Sequence, residues 1–331
     1  GEYQVFFSGV VEGYSLPDDT TEGEILARLL PDGAYTWTVE AVDENGNTEQ
    51  VEGGLTIMDA DPQLPDLRNF TLDRTLFTPN RDGINDRVLA QVWLEKEANM
   101  RVYLETVDGR ELPIPELDRG VPPGLPGRHF YDYAGGVDEN ATPPPDGTYT
   151  IVALAEDEEG QRVQVKNEIT IELGGVPRAE IVSPPAGDTF ALNATSLVIC
   201  DTLFFTVTVE NYGDTPIRTS GPEPGLVYDS NWNATTVGWP TESGAWRLGV
   251  GYENALSDYP YRWGLGHRES LTEIDGHYYL MPGARSVITG GIRLVDELGV
   301  RNPQPMWVGL IHEDVEISQF NNRVDPHEVL I

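Results

Sequence analysis

Two stretches of this chain, residues 31–57 and 145–171, align without a gap at an offset of 114 residues. Pro31-Asp32-Gly33-Ala34-Tyr35-Thr36-Trp37 returns as Pro145-Asp146-Gly147-Thr148-Tyr149-Thr150-Ile151. Identities continue through Ala41/Ala155, Asp43/Asp157, Gly46/Gly160, Gln50/Gln164, Val51/Val165 and Ile57/Ile171. The spacing exceeds any solenoid period, so the copies belong to domains in tandem. Each copy reads as a β-hairpin. Tyr35, Trp37, Val39 and Ala41 alternate with Thr36, Thr38 and Glu40, the pattern of a strand with one buried face. Asp43-Glu44-Asn45-Gly46-Asn47 and Asp157-Glu158-Glu159-Gly160 place glycine where a hairpin turn requires positive φ.

Charge narrows the classes of partner. Over 331 residues, 55 acidic against 21 basic side chains leave a net charge of −34. A chain so anionic does not neutralise phosphates, which argues against nucleic acid and anionic membranes. High charge also raises disorder, but 39% hydrophobic residues with 7 Trp, 14 Tyr and 9 Phe supply folded cores. At about 100–150 residues per domain, two or three are expected. The 35 Gly and 25 Pro point to short elements and many turns. No apolar run is long enough to span a bilayer, and Gly1-Glu2-Tyr3 does not open a signal peptide. Cys200 is the single cysteine, so no internal disulfide forms; its place in Leu197-Val198-Ile199-Cys200 predicts a buried, inert thiol.

Strands are expected at residues 88–94, 100–106, 128–133, 148–155 and 162–172, with linkers at 59–67 and 174–178. The domains are then 1–60, 61–175 and 176–331. Only 30 residues precede Pro31, room for about four strands where an Ig-like sandwich needs about seven. The first domain therefore reads as incomplete. Either the chain is a cut piece of a longer one, or another subunit completes the sheet by strand addition. The opening strand Tyr3-Gln4-Val5-Phe6-Phe7 would present Tyr3, Val5 and Phe7 as the assembly edge. In the third domain strands are expected near 204–212, 244–252, 278–280, 285–295, 306–313 and 328–331, and no helix of any length anywhere.

The hairpin ending, with its Pro-Asp-Gly opening and Asp-x-x-Gly-Asn-type turn, resembles the close of bacterial Ig-like and fibronectin type III-like domains. Phe77-Thr78-Pro79-Asn80-Arg81-Asp82-Gly83-Ile84-Asn85-Asp86 is similar to the opening of Ig-like modules of the flagellar hook-capping type. Phe204–Thr215 is similar to a strand of bacterial cell-adhesion-related Ig-like domains. These resemblances imply an all-β protein of tandem Ig-like sandwiches at the cell surface or outside the cell, and imply little about biochemistry.

Several groups carry candidate chemistry. Asn80, Asp82 and Asp86 alternate on a glycine-bent loop that overlaps the centre of a calcium loop, so Ca2+ is the one candidate cofactor. The loop lacks a leading carboxylate and a closing Glu, and the same side chains serve equally as turn caps. Trp232, Trp239, Tyr259, Tyr261 and Trp263, in Gly- and Pro-rich sequence, are either core residues or a platform for sugar rings. His129, His267, His277, His312 and His327 make no recognised metal spacing, and no nucleophile, P-loop or dinucleotide motif appears. Asn69, Asn140, Asn193 and Asn233 begin Asn-x-Ser/Thr triplets that would accept a glycan.

The expectation is a non-enzymatic structural or adhesive subunit of a bacterial filament, sheath or layer, with copies of itself or neighbouring surface proteins as partners. The alternative is an accessory region of a secreted hydrolase whose third domain binds polysaccharide.

Overall fold

The computed structural model describes Gln4, residues 6–296 and residues 298–331. The chain is all-β, with only three single-turn 3-10 helices among the described residues. It divides into two compact units.

The first unit holds residues up to 76, 88–133 and 147–170. Its strands are β1 (Val10–Glu12), β2 (Glu24–Leu29), β3 (Gly33–Val42), β4 (Thr48–Ile57), β5 (Leu67–Leu72), β6 (Leu76–Phe77, at the unit's edge), β7 (Val88–Leu94), β8 (Asn99–Glu105), β9 (Glu111–Pro113), β10 (Gly127–Tyr133), β11 (Gly147–Glu156) and β12 (Arg162–Ile171). One sheet runs β1-β2-β12-β11-β8-β9, with β6 alongside β12, and a second runs β10-β7-β5. The alternation read from the sequence becomes an inward face: Val88, Ala90, Val92 and Leu94 of β7, Val102 and Leu104 of β8, Ile151, Ala153 and Ala155 of β11 are all buried.

The first 60 residues do not stand as a sandwich of their own. β2 pairs antiparallel with β12, Val163 opposite Ile25, and a Cβ on Gly23 would lie 2.6 Å from the Gln164 carbonyl, so the close approach requires glycine there. The Gln161 side chain ties the junction, accepting from Leu29 N–H at 3.2 Å and donating to the Gln63 carbonyl at 2.9 Å. What stands apart is β3–β4, a two-stranded sheet in the register expected of the hairpin, with Trp37 opposite Gly53 and Val39 opposite Val51.

The expected linker at 59–67 is also built in. Leu64 and Leu67 are buried, and Lys96 bridges Asp61 at 2.9 Å, Asp157 at 2.8 Å and Glu159 at 3.2 Å. Burial disfavours the charged ammonium, but hydrogen bonds to Asp157, Asp61 and Glu159 outweigh it and raise the Lys96 pKa.

The second unit comprises residues 77–87, 134–146 and 171–331. Its strands are β13 (Ala179–Ile181), β14 (Ala191–Leu192), β15 (Thr202–Asn211), β16 (Ile217–Thr219), β17 (Val227–Asp229), β18 (Trp246–Tyr252), β19 (Tyr261–Gly264), β20 (Thr272–Ile274), β21 (His277–Leu280), β22 (Arg285–Arg293), β23 (Gln304–His312), β24 (Glu316–Ile317) and β25 (Val324–Val329). They form a sheet β13-β15-β22-β17, with β14 beside β15, and a larger sheet β20-β21-β16-β18-β23-β24, with β19 on β18 and β25 on β23. Leu203, Phe205, Val207 and Val209 of β15 meet Leu248, Val250, Trp263, Val308 and Leu310 in one core. Trp263 packs edge-on against Phe205 and Tyr228 at 4.8 and 5.0 Å.

Cys200 departs from the expectation of burial. Residues 198–201 form a turn: the Asp201 carboxylate accepts Val198 N–H at 3.0 Å and Asp201 N–H donates to the Val198 carbonyl. Cys200 sits there at φ 80° with its side chain exposed. A turn, not a strand, uses this apolar run.

Candidate functional site

The loop at 77–87 belongs to the second unit, and its polar side chains turn inward. Asn80 and Asp82 are buried. Asn80 Oδ1 accepts Asp82 N–H at 3.0 Å and Asp82 Oδ1 accepts Ile84 N–H at 2.8 Å, two successive Asx turns. Asp86 Oδ1 accepts from Asn80 and Asp82 N–H at 3.3 and 3.1 Å, and its Oδ2 accepts Gly83 N–H at 2.6 Å. Thr78 donates to the Ile84 carbonyl at 2.6 Å.

Strands of the second unit fasten this loop from outside. Tyr279 on β21 donates its hydroxyl to Asp82 Oδ2 at 2.9 Å. Arg218 on β16 donates through Nε to the Asp82 carbonyl at 2.6 Å and pairs with Glu242. His312 at the end of β23 donates through Nε2 to the Arg81 carbonyl at 2.7 Å and stacks on Trp246 at 4.5 Å. A Cβ on Gly244, in the turn before β18, would lie 2.1 Å from the Asp82 carbonyl carbon, so this close approach also depends on glycine.

Two carboxylates share this enclosed space. Burial raises the Asp82 pKa; burial, and then the charge of Asp82, push Asp86 up to about 6. Burial pulls the His312 imidazole down to about 4. Each carboxylate oxygen already accepts a hydrogen bond, and the Arg218 guanidinium supplies positive charge beside Asp82. The arrangement is chemically a satisfied turn; a calcium ion would have to take the remaining lone pairs against that guanidinium. Arg218, Tyr279 and His312 carried no signal in the sequence, because nothing local relates them to a loop some 130 to 230 residues earlier.

The aromatic candidates separate. Tyr259, Tyr261 and Trp263 are buried, with Tyr261 donating to the Ser230 carbonyl, Trp263 to the Leu226 carbonyl and Tyr259 to Asn322. These three are core residues and offer no face to a sugar; alternation along β19 turns Tyr261 and Trp263 inward. Trp232 is exposed. Trp239 lines an open groove with Tyr278, Glu223, Glu242, His277 and Arg268.

At the other end of the chain, Tyr3 and Val5 lie outside the described residues, and Phe7 is exposed in irregular backbone; the first described strand starts at Val10. Asn69, Asn140, Asn193 and Asn233 are all exposed. Asn140 accepts from Arg81, and Asn193 donates through Nδ2 to the Thr202 carbonyl.

Fold and loops together define a protein of tandem β-sandwiches. No family model and no curated protein matches the chain. Among solved structures it is similar to a protein of unknown function from Porphyromonas gingivalis W83, at 12% identity and a TM-score of 0.21, covering 79% of this chain and 99% of that one. It is also similar to a Ca2+-stabilised adhesin that helps an Antarctic bacterium bind ice, at 12% identity and a TM-score of 0.23, covering 86% of this chain and 54% of the adhesin. A third is protocadherin gamma B2, extracellular cadherin domains 3–6, at 11% identity and a TM-score of 0.19, covering 80% and 84%. Scores this low match no residue of the chain to a residue of theirs. Among the described residues, no helix is long and apolar enough to cross a membrane.

Proposed function

We propose that this chain is a non-enzymatic structural or adhesive subunit of an extracellular bacterial filament, sheath or surface layer, joined to copies of itself or to neighbouring surface proteins through strand edges and sheet faces. One observation carries the reading. In the second copy of the hairpin, Ile151, Ala153 and Ala155 are buried; at the matching positions of the first copy, Trp37 is 40% and Val39 47% exposed, and Ala41 is exposed too. Among the described residues the β3–β4 ribbon thus keeps an apolar face and two unpaired edges, the features that natural sheets cover or pair.

The net charge of −34 sets the condition for assembly: close-packed copies repel unless ions screen them. The test is electron microscopy and sedimentation of the purified chain across ionic strength and divalent cation concentration. Regular polymers that grow with salt, and that a Trp37→Ser/Val39→Ser pair abolishes, are expected. A monodisperse monomer under every condition would overturn the reading. Calcium at the 77–87 loop is the finer proposal, and a thermal midpoint unmoved by EDTA would end it.

The groove of Trp239 and Tyr278 favours a second reading, an accessory region of a secreted hydrolase that holds polysaccharide. An aromatic face flanked by carboxylates and a guanidinium suits a sugar ring and its hydroxyls. Retention on a glycan column, lost in Trp239→Ala, would support it; free passage of the unaltered chain would remove it.

A further inference from the structure

We propose that Asp188, Asp325 and His327 form a site for one divalent transition-metal ion of the zinc class. Asp325 and His327 stand two apart on β25, where the ladder with β23 is bulged and Asp325 takes φ 47°, and Asp325 Oδ2 lies 3.4 Å from His327 Nε2. Asp188 reaches them from the connection between β13 and β14. One ligand atom from each lies within 4.8 Å of the others. Ligand atoms that each sit about 2.0–2.2 Å from a common ion are at most about 4.4 Å apart, so rotation of the exposed Asp188 side chain suffices to close the set.

A second observation points to the ion. His327 Nε2 is closed to solvent and makes no hydrogen bond. Its nearest charged neighbour, Asp325 Oδ2, pairs with it at a long 3.4 Å, and the His327 side chain as a whole is 20% exposed. A ring nitrogen closed to solvent and held only by that long contact is poorly satisfied, and a metal bond would satisfy it. The surroundings hold the ligands in place. The Phe190 ring lies 5.9 Å from the His327 ring, and Phe190 N–H donates to Asp325 Oδ2 at 2.9 Å, which fixes the carboxylate.

The donor set selects the metal. Calcium takes six to eight oxygens, whereas one imidazole with two carboxylates suits zinc and its neighbours, the fourth position going to water. The ion would clip the last long strand to the connection that leads into β14, a structural role independent of the assembly proposed above.

The experiment titrates the chelator-treated full chain with Zn2+ by calorimetry and follows its thermal midpoint, with Ca2+ in parallel. The expected result is one Zn2+ per chain in a distinct step above the weak binding of surface carboxylates, with a raised midpoint. Both the step and the rise should vanish in Asp188→Asn, an exposed change that leaves the core intact, and in His327→Phe, which keeps a ring against Phe190. Variants that titrate like the unaltered chain, a Zn2+ isotherm with only the weak phase, or a distinct step for Ca2+ and none for Zn2+ would each overturn the site.

Discussion

The hydroxyl of Tyr279 donates to Asp82 Oδ2 at 2.9 Å, joining side chains 197 residues apart in sequence. Both side chains are buried, so the bond is made where water cannot replace it. Tyr279→Phe keeps the ring and removes the donor. A loss of about 1.5–3 kcal/mol is expected, the usual worth of a hydrogen bond to a charged acceptor. Urea unfolding checks it, and a loss below about 0.5 kcal/mol would show that Asp82 finds another partner.

The same loop makes a pH prediction with two opposing parts. Asp86, raised from 3.8 to about 6, keeps a proton in the folded chain that the unfolded chain has lost. Its contribution is complete below pH 4 and disappears as the pH rises through 6. His312, lowered from 6.5 to about 4, behaves in the opposite way: stability present above pH 6.5 is lost as the pH falls toward 4. Relative to the unaltered chain, Asp86→Asn should therefore lose stability on acidification from pH 6.5 to 4.5, and His312→Gln should gain it. Denaturant midpoints at three pH values measure the slopes, and equal slopes in all three proteins would contradict the assignment.

Lys96, one of two lysines in the chain, faces three carboxylates, and the side chain of Asp157 among them is fully buried. Lys96→Met removes the cation and leaves that carboxylate behind. A cost of about 3–5 kcal/mol is expected, as for any buried pair broken on one side. Lys96→Arg, which keeps the charge, should recover part of it.

Cys200 should react completely with a maleimide in the native protein, because its side chain is exposed in a turn. A reaction that needs denaturant would mean that the turn is closed over it.

Much of the fold was legible from alternation. The strand expected at 88–94 is β7 residue for residue, and those expected at 128–133, 148–155 and 162–172 match β10, β11 and β12 to within a residue or so at each end. β7, β10 and β12 alternate between buried and more open positions, which is what a period of two records, whereas β11 is buried on both faces from Ile151 to Ala155. Strands of two or three residues, such as β16 and β17, carry no period and escaped. Partnership escaped as well: nothing in the run from Glu24 to Leu29 says that it pairs with β12 and not with its own hairpin. Trp263 and Tyr261 lie in turn-rich sequence that leaves core and surface both open, and it is the short strand β19, paired to β18, that turns them into the core. The loop at 80–86 was found because Asx turns are local; the residues that hold it are remote in sequence and unmarked.

The second unit is assembled from three separate pieces of chain, 77–87, 134–146 and 171–331. A cut near residue 176, where composition invites one, would strip the first two pieces from the third. Tyr279, Arg218 and His312 would then be left without the groups they hold, and the shortened product should be less stable than its length implies. The same discontinuity bears on heredity: a recombination event at a single joint could not transfer this sandwich intact to another protein. What passes as a cassette must be the whole span from Phe77 onward.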